Sequence, residues 1–344
     1  MIHILGTDFS ERIDGLVKQI EDLSSHKVAF DNEISPSDEK WNKVNGIYRS
    51  ASKSPRISLK PHASEETVAH ELLHGILHYK GFPALASGNE DIFPFANEVA
   101  NEILHIGLHS VIDEIMTDMG YNLAIVKTSN LRERTDALKS ICSQPGDEGW
   151  RVWWTVRVAC QGAYNKMKPE VENAAEVAFE EQVGKAFPLA IALIQKIVGI
   201  LGRTNRHDQC LLQEGLRGVL FHVRDQFPNY PGIRNAEGKV VFTPLYVKAK
   251  QISRPADKLL MLTTKSRYNA SGERTGDMIV LSDRRHGGAV AICLAKEPAG
   301  DRKDADKDLA RELQMTKRLL KTPLRNVLSH CGIRFQIIEN LPKV

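Results

Sequence analysis

The stretch Glu65-Glu66-Thr67-Val68-Ala69-His70-Glu71-Leu72-Leu73-His74-Gly75-Ile76-Leu77-His78 is the most informative in the chain. At 3.6 residues per turn, His70 and His74 stand one above the other on one helix face, where two imidazoles can share a zinc ion. Glu71, beside the first histidine, can hold the metal-bound water and accept its proton. Ser64 is placed to cap the helix, and Glu65 and Glu66 occupy its first turn, where carboxylates suit the helix dipole. Val68, Ala69, Leu72, Leu73, Ile76 and Leu77 cover most of the circumference, the pattern of a buried helix. Its polar interruptions, Thr67, His70, Glu71, His74 and His78, fall on one stripe. Buried imidazoles beside a carboxylate need a compensating partner, which a metal supplies. Gly81 and Pro83 end the helix.

Working outward, Asp91 to Met119 reads as a second long helix, with Pro94 near its first turn and Gly120 just past its end. Glu98, Glu102, His105 and His109 fall at i, i+4, i+7 and i+11, a single stripe. A hydrolytic zinc site takes three protein ligands plus water, so this stripe is expected to supply one. Glu98 is the first choice, because Glu102 then lies one turn on and can orient a ligating histidine. Glu102 is the competing ligand. His105 and His109 are further rivals and also candidate donors to an oxyanion, with Glu114 behind them. His78 reads as a partner of the ligands or as a buried histidine with a local partner.

These pieces resemble the intracellular gluzincin-type zinc metallopeptidases, the ImmA/IrrE-like group in particular, over roughly the first 125 residues. The matching features are the strand pattern Arg56-Ile57-Ser58-Leu59-Lys60, then His70-Glu71-Leu72-Leu73-His74 extended by Leu77-His78, then a glutamate-bearing helix containing Ala100-Asn101. The resemblance implies that His70, His74 and Glu98 (or Glu102) bind zinc and that Glu71 activates water. The strand before the zinc helix is then expected either beside the cleft, binding substrate backbone by strand addition, or as an ordinary edge strand.

The 344 residues are enough for two or three domains. The net charge of +3 argues neither for nucleic acid nor for an acidic membrane. Met1–Ser10 lacks the basic start and apolar run of a secretion signal, and Phe187–Leu201 is too short to span a bilayer. The five cysteines, Cys142, Cys160, Cys210, Cys293 and Cys331, are scattered and unpaired in spacing, which fits a reducing cytoplasm.

An α+β protein of three parts is expected. Residues 1–128 form a metallopeptidase domain with a small sheet and a zinc-binding helix pair. Residues 129–230 are mainly helical, and 231–344 form a mixed α/β domain, regulatory or substrate-recruiting. The first part carries a helix from Ser10 to Ser24, strands at Lys27–Phe30, Gly46–Tyr48 and Arg56–Lys60, and a closing strand at Leu123–Val126, followed by a linker at Lys127–Arg134. Glu170–Leu201, broken at Pro188, and Gln209–Gln226 read as helices, and Trp150, Trp153 and Trp154 as packing residues. Pro228-Asn229-Tyr230-Pro231-Gly232 is turn-forming punctuation. Strands follow at Lys239–Phe242, Leu259–Thr264, Met278–Leu281, Ala289–Leu294 and Ile333–Ile338, with a charged helix at Asp301–Leu320. Arg284-Arg285-His286-Gly287-Gly288 reads as a basic hairpin loop.

The function expected is that of a cytoplasmic zinc metalloendopeptidase acting on an intracellular protein. Two alternatives are a zinc-retaining sensor that cleaves little, and a nucleic-acid-associated protein using Arg284, Arg285 and the last helix. No membrane partner is indicated, and the oligomeric state is open.

Overall fold

A computed structural model of the chain describes residues 2–32, 46–49, 54–86, 94–141, 146–167, 171–234, 236, 240–268, 274–285, 287–294 and 302–339. Asp91, Cys142, Glu170, Lys239, His286 and Asp301 of the sequence reading lie outside the described residues.

The chain opens with a hairpin, β1 (Ile2–Ile4) and β2 (Thr7–Phe9), leading into α1 (Glu11–Ser24). α1 buries Ile13, Leu16, Val17 and Ile20, the spacing of a one-sided helix, and packs on α2 (Glu65–Tyr79). Between them run β3 (Ala29–Asp31), β4 (Gly46–Tyr48) and β5 (Arg56–Leu59), forming a sheet of order β3-β5-β4. β5 is parallel to β3 and antiparallel to β4, so both its edges are taken. It is therefore not the edge strand the sequence suggested; among the described residues β3 and β4 are the edges. α2 begins as expected, with the Ser64 hydroxyl accepting the Thr67 N–H.

After β6 (Ala84–Leu85) come six long helices: α3 (Pro94–Asp118), α4 (Ala124–Ile141), α5 (Glu148–Lys166), α6 (Asn173–Ala186), α7 (Pro188–Leu201) and α8 (Gln209–Gln226). The strand expected at Leu123–Val126 and the linker after it are instead the start of α4. Asn122 accepts the Ala124 N–H and starts the helix, and Ile125 and Val126 are exposed rather than alternately buried. Position 128 thus falls inside a helix, and one continuous apolar cluster runs from Ile4 through α1–α8. Gly107 marks a close approach of α3 and α8, where a Cβ would lie 2.8 Å from the Leu216 side chain. Pro188 begins α7, where the missing N–H costs nothing.

The C-terminal part contains β7 (Phe242–Thr243), β8 (Leu245–Val247), α9 (Ala249–Ile252), β9 (Leu260–Tyr268), β10 (Arg274–Asp283), β11 (Ala289–Leu294), α10 (Arg302–Leu319), α11 (Leu324–His330) and β12 (Phe335–Ile337). β9, β10 and β11 form an antiparallel meander, and β12 pairs parallel to β8. A second apolar cluster, including Leu245, Leu260, Leu281, Val290, Leu324 and Val327, fills the space between them. β7 pairs with β6, so this part is stitched to the loop that follows α2. Among the described residues no helix is long and apolar enough to cross a membrane.

Candidate metal centre

α2 presents His70 and His74 on one face, and α3 crosses it so that His109 meets them. The Nε2 atom of His74 lies 3.2 Å from Nε2 of His70 and 3.2 Å from Nε2 of His109. The three ring centroids are 4.8 to 5.1 Å apart. A tetrahedral ion with nitrogen ligands at roughly 2.0–2.1 Å would set its nitrogens about 3.3–3.4 Å apart; the two pairs made by His74 match that, and all three candidate ligand atoms lie within 4.8 Å of one another. Among the described residues this is the group of three side chains able to hold a metal.

Burial holds the three rings in the neutral form. His74 and His109 titrate well below the ordinary histidine value, from burial first and then from the neighbouring imidazoles, and His70 is lowered by burial against the pull of Asp113. Unprotonated nitrogens are the state a metal requires.

Glu71 is only 9% exposed, and its Oε2 accepts the backbone N–H of Tyr48 at 2.7 Å. Arg49 N–H bonds to Arg56 across the β4–β5 pair, so the alternation of the strand turns the Tyr48 N–H outward, toward α2. Gly46 permits this approach, since a Cβ there would stand 2.7 Å from the Glu71 side chain. Burial pushes the Glu71 carboxyl up to about 7, with the Tyr48 hydrogen bond acting the other way. A carboxyl titrating near neutrality is well matched to proton transfer. Beside it opens a cavity of about 390 Å³, bounded by Ile47, Tyr48, Leu77, His78, Phe82 and Leu108 together with the three imidazoles.

The third member of the cluster is His109, one of the rivals on the stripe, and Glu98 and Glu102 lie away from it. Glu98 is exposed, and Glu102 is half-buried with its Oε1 3.6 Å from Nε of Arg157. Both share the stripe with His109, but eleven and seven residues before it they sit roughly 16 and 10 Å back along the helix axis. α2 meets α3 at His109. His105 stacks on His109 with ring centroids 4.3 Å apart and borders the cavity, without joining the trio. Glu114 bonds Arg206 and His207 instead.

Two contacts had no sequence signal strong enough to find them. Asp113, one turn past His109, is buried against Lys127 at 2.9 Å and accepts the Tyr164 hydroxyl. Arg334 reaches His78 across 256 positions. The basic hairpin folds back on its own unit: Arg285 bonds Asp283, and Arg284 bonds the carbonyls of Asp257 and Leu260. Comparison with known protein families, with characterised proteins and with solved structures finds no match to this chain.

Proposed function

We propose that the chain is a zinc-dependent metallopeptidase in which His70, His74 and His109 hold the ion and Glu71 is the general base. The observation that carries this reading is the convergence of three neutral imidazoles beside a buried carboxyl held near neutrality. Three nitrogen donors with a position left open is the donor set of hydrolytic zinc sites, where the ion acidifies water and polarises a carbonyl. Glu71 Oε2 is held by the Tyr48 N–H, and Oε1 has no partner among the described residues. That oxygen takes the proton from the attacking water, and Glu71 then passes it to the departing amine nitrogen. The ligand set departs from the gluzincin pattern, with a histidine in place of the glutamate.

A peptide substrate is favoured by β4, an edge strand that borders the cavity, where an extended chain can lie alongside. A cytoplasmic protein substrate completes the proposal, supported by the buried free thiols Cys160 and Cys210. The C-terminal part, bonded to the end of α2, is the candidate for recruiting or regulating it. The test is to express wild type and Glu71→Gln in the native host and compare new protein termini. Fragments present with wild type and missing with Glu71→Gln support a peptidase; identical termini overturn it.

A further inference from the structure

His78 lies on the wall of the cavity, one helical turn beyond His74. Its Nδ1 is 3.2 Å from Nη1 of Arg334, and the other guanidinium nitrogen donates to the His78 carbonyl at 2.6 Å. A guanidinium has only donors, so Nδ1 must be the acceptor, and the ring proton resides on Nε2. Nε2 lies on the far side of the ring from Arg334, and among the described residues it has no partner. A half-buried N–H donor without a partner, on the wall of a cavity beside a candidate catalytic centre, is a group prepared for a ligand.

Arg334 is itself held. Its carbonyl accepts the Leu245 N–H, and the β12–β8 pair that follows fixes the strand. Neighbouring residues tie the same strands to the end of α2: Gln336 donates to the Lys80 carbonyl at 3.1 Å, and Tyr246 donates to the Gly81 carbonyl at 2.7 Å. Gly81 adopts φ +83°, and a Cβ there would collide with the Gln336 side chain. The C-terminal part therefore meets the end of α2 through Arg334, Gln336 and Tyr246, of which Arg334 carries the charge.

We propose that His78, locked as the neutral Nε2–H tautomer by Arg334, donates a hydrogen bond to a backbone carbonyl of the substrate. This rests on the peptidase reading above. One turn of helix separates His78 from His74 by about 6 Å, too far for the oxyanion at the reacting carbon. An extended peptide advances roughly 3.3 Å per residue, so the carbonyl bound lies about two residues from the scissile bond. Burial and then the Arg334 charge lower the His78 titration to about 4, which keeps the donor neutral across the physiological range. Arg334 is a positioning residue, and it gives the C-terminal part a direct hand in substrate binding.

The test uses the full chain in two measurements. Long-range proton–nitrogen correlation of ¹⁵N-histidine-labelled, metal-free protein at pH 7 reads the tautomers, with His78→Gln assigning the signal. The expected result is a bare Nδ1 and a protonated Nε2 at His78, turning into a mixture in Arg334→Met that keeps the wild-type far-UV spectrum. An Nδ1–H tautomer in wild type, or no change in Arg334→Met, overturns the lock. Zinc-loaded protein is then titrated with acetohydroxamate and with acetyl-dialanyl hydroxamate, whose acetyl carbonyl lies two residues from the chelating group. His78→Phe should weaken the peptide hydroxamate by about 3- to 10-fold and leave acetohydroxamate unchanged. Equal effects on both, or none on either, overturn the donor role. If acetohydroxamate does not bind at all, the peptidase reading fails and the substrate role with it, while the tautomer measurement still decides the lock.

Discussion

Around α2 and α3 the protein draws together three half-buried imidazoles with no carboxylate hydrogen-bonded to them among the described residues, and each is held away from its charged form. In the C-terminal part it buries Asp283 completely, yet Arg285 grips both carboxylate oxygens and the Arg285 backbone N–H adds a further bond at 2.9 Å. Arg217, buried nearby, faces the same carboxylate, although burial still pulls its guanidinium down to about 10. Both regions remove ionisable groups from water. The C-terminal network satisfies its charges internally and so describes a structural element. The imidazole trio brings three ring nitrogens together with no carboxylate hydrogen-bonded to them among the described residues, an arrangement that could hold a cation. Perturbed titration alone does not mark a functional site; what makes this cluster a candidate is the convergence of three ring nitrogens on one point.

The contrast can be broken by mutation at either end. The largest effect is expected at Glu71. Glu71→Gln keeps the side-chain shape, so metal content by atomic absorption should stay at wild-type level while hydrolysis of a cleaved peptide falls by roughly 10²–10⁴-fold. Undiminished cleavage would remove Glu71 from the chemistry.

At the other end, Asp283→Ala leaves the half-buried Arg285 and the buried Arg217 without the Asp283 carboxylate. Urea unfolding should report a loss of about 3–5 kcal/mol, the same with or without added zinc. A loss that zinc restores would mean that the two regions are not independent.

Zinc itself should stabilise the protein, by about 2.7 kcal/mol at a free concentration one hundred times its Kd. His109→Ala should abolish that gain, whereas Glu98→Ala should leave it intact. If Glu98→Ala releases zinc and His109→Ala retains it, the ligand assignment is reversed.

The smallest effect is on pH dependence, and its sign follows from proton counting. The unfolded chain protonates His70, His74, His78 and His109 near 6.5, whereas the folded chain binds those protons only at lower pH, near 4 for His78. The metal-free protein should therefore lose stability as pH falls from about 6.5 toward 4, by at most about 1.4 kcal/mol per pH unit for each histidine. His105 and His222, also lowered by burial, add to the same side, while Glu71, Glu102 and Glu214, raised by burial, act in the opposite sense, and three carboxyls only partly offset six histidines. Thermal midpoints at pH 7 and pH 5 check this, and an apo protein more stable at pH 5 would refute it.

Much of the molecule follows from local pattern. α1, α2, α8 and β11 lie where apolar periodicity and capping residues put them, and the pairing of His70 with His74 is a property of one helix whatever surrounds it. α4 was less legible, because Leu123–Val126 is apolar enough for a strand and only the Asn122 cap and the exposure of Ile125 and Val126 distinguish a helix start. β5 was legible as a strand but not as a central one, since pairing partners are chosen across the chain. The stripe on α3 is the clearest case. Helical periodicity set Glu98, Glu102, His105 and His109 on one face, and that much belongs to the sequence. Which of them meets His70 and His74 on α2 depends on where two helices cross along their axes, a quantity with no local signature. The packing of α3 against α2, α5 and α8 decided it in favour of His109, just as the pairing of β12 with β8 brought Arg334 to His78.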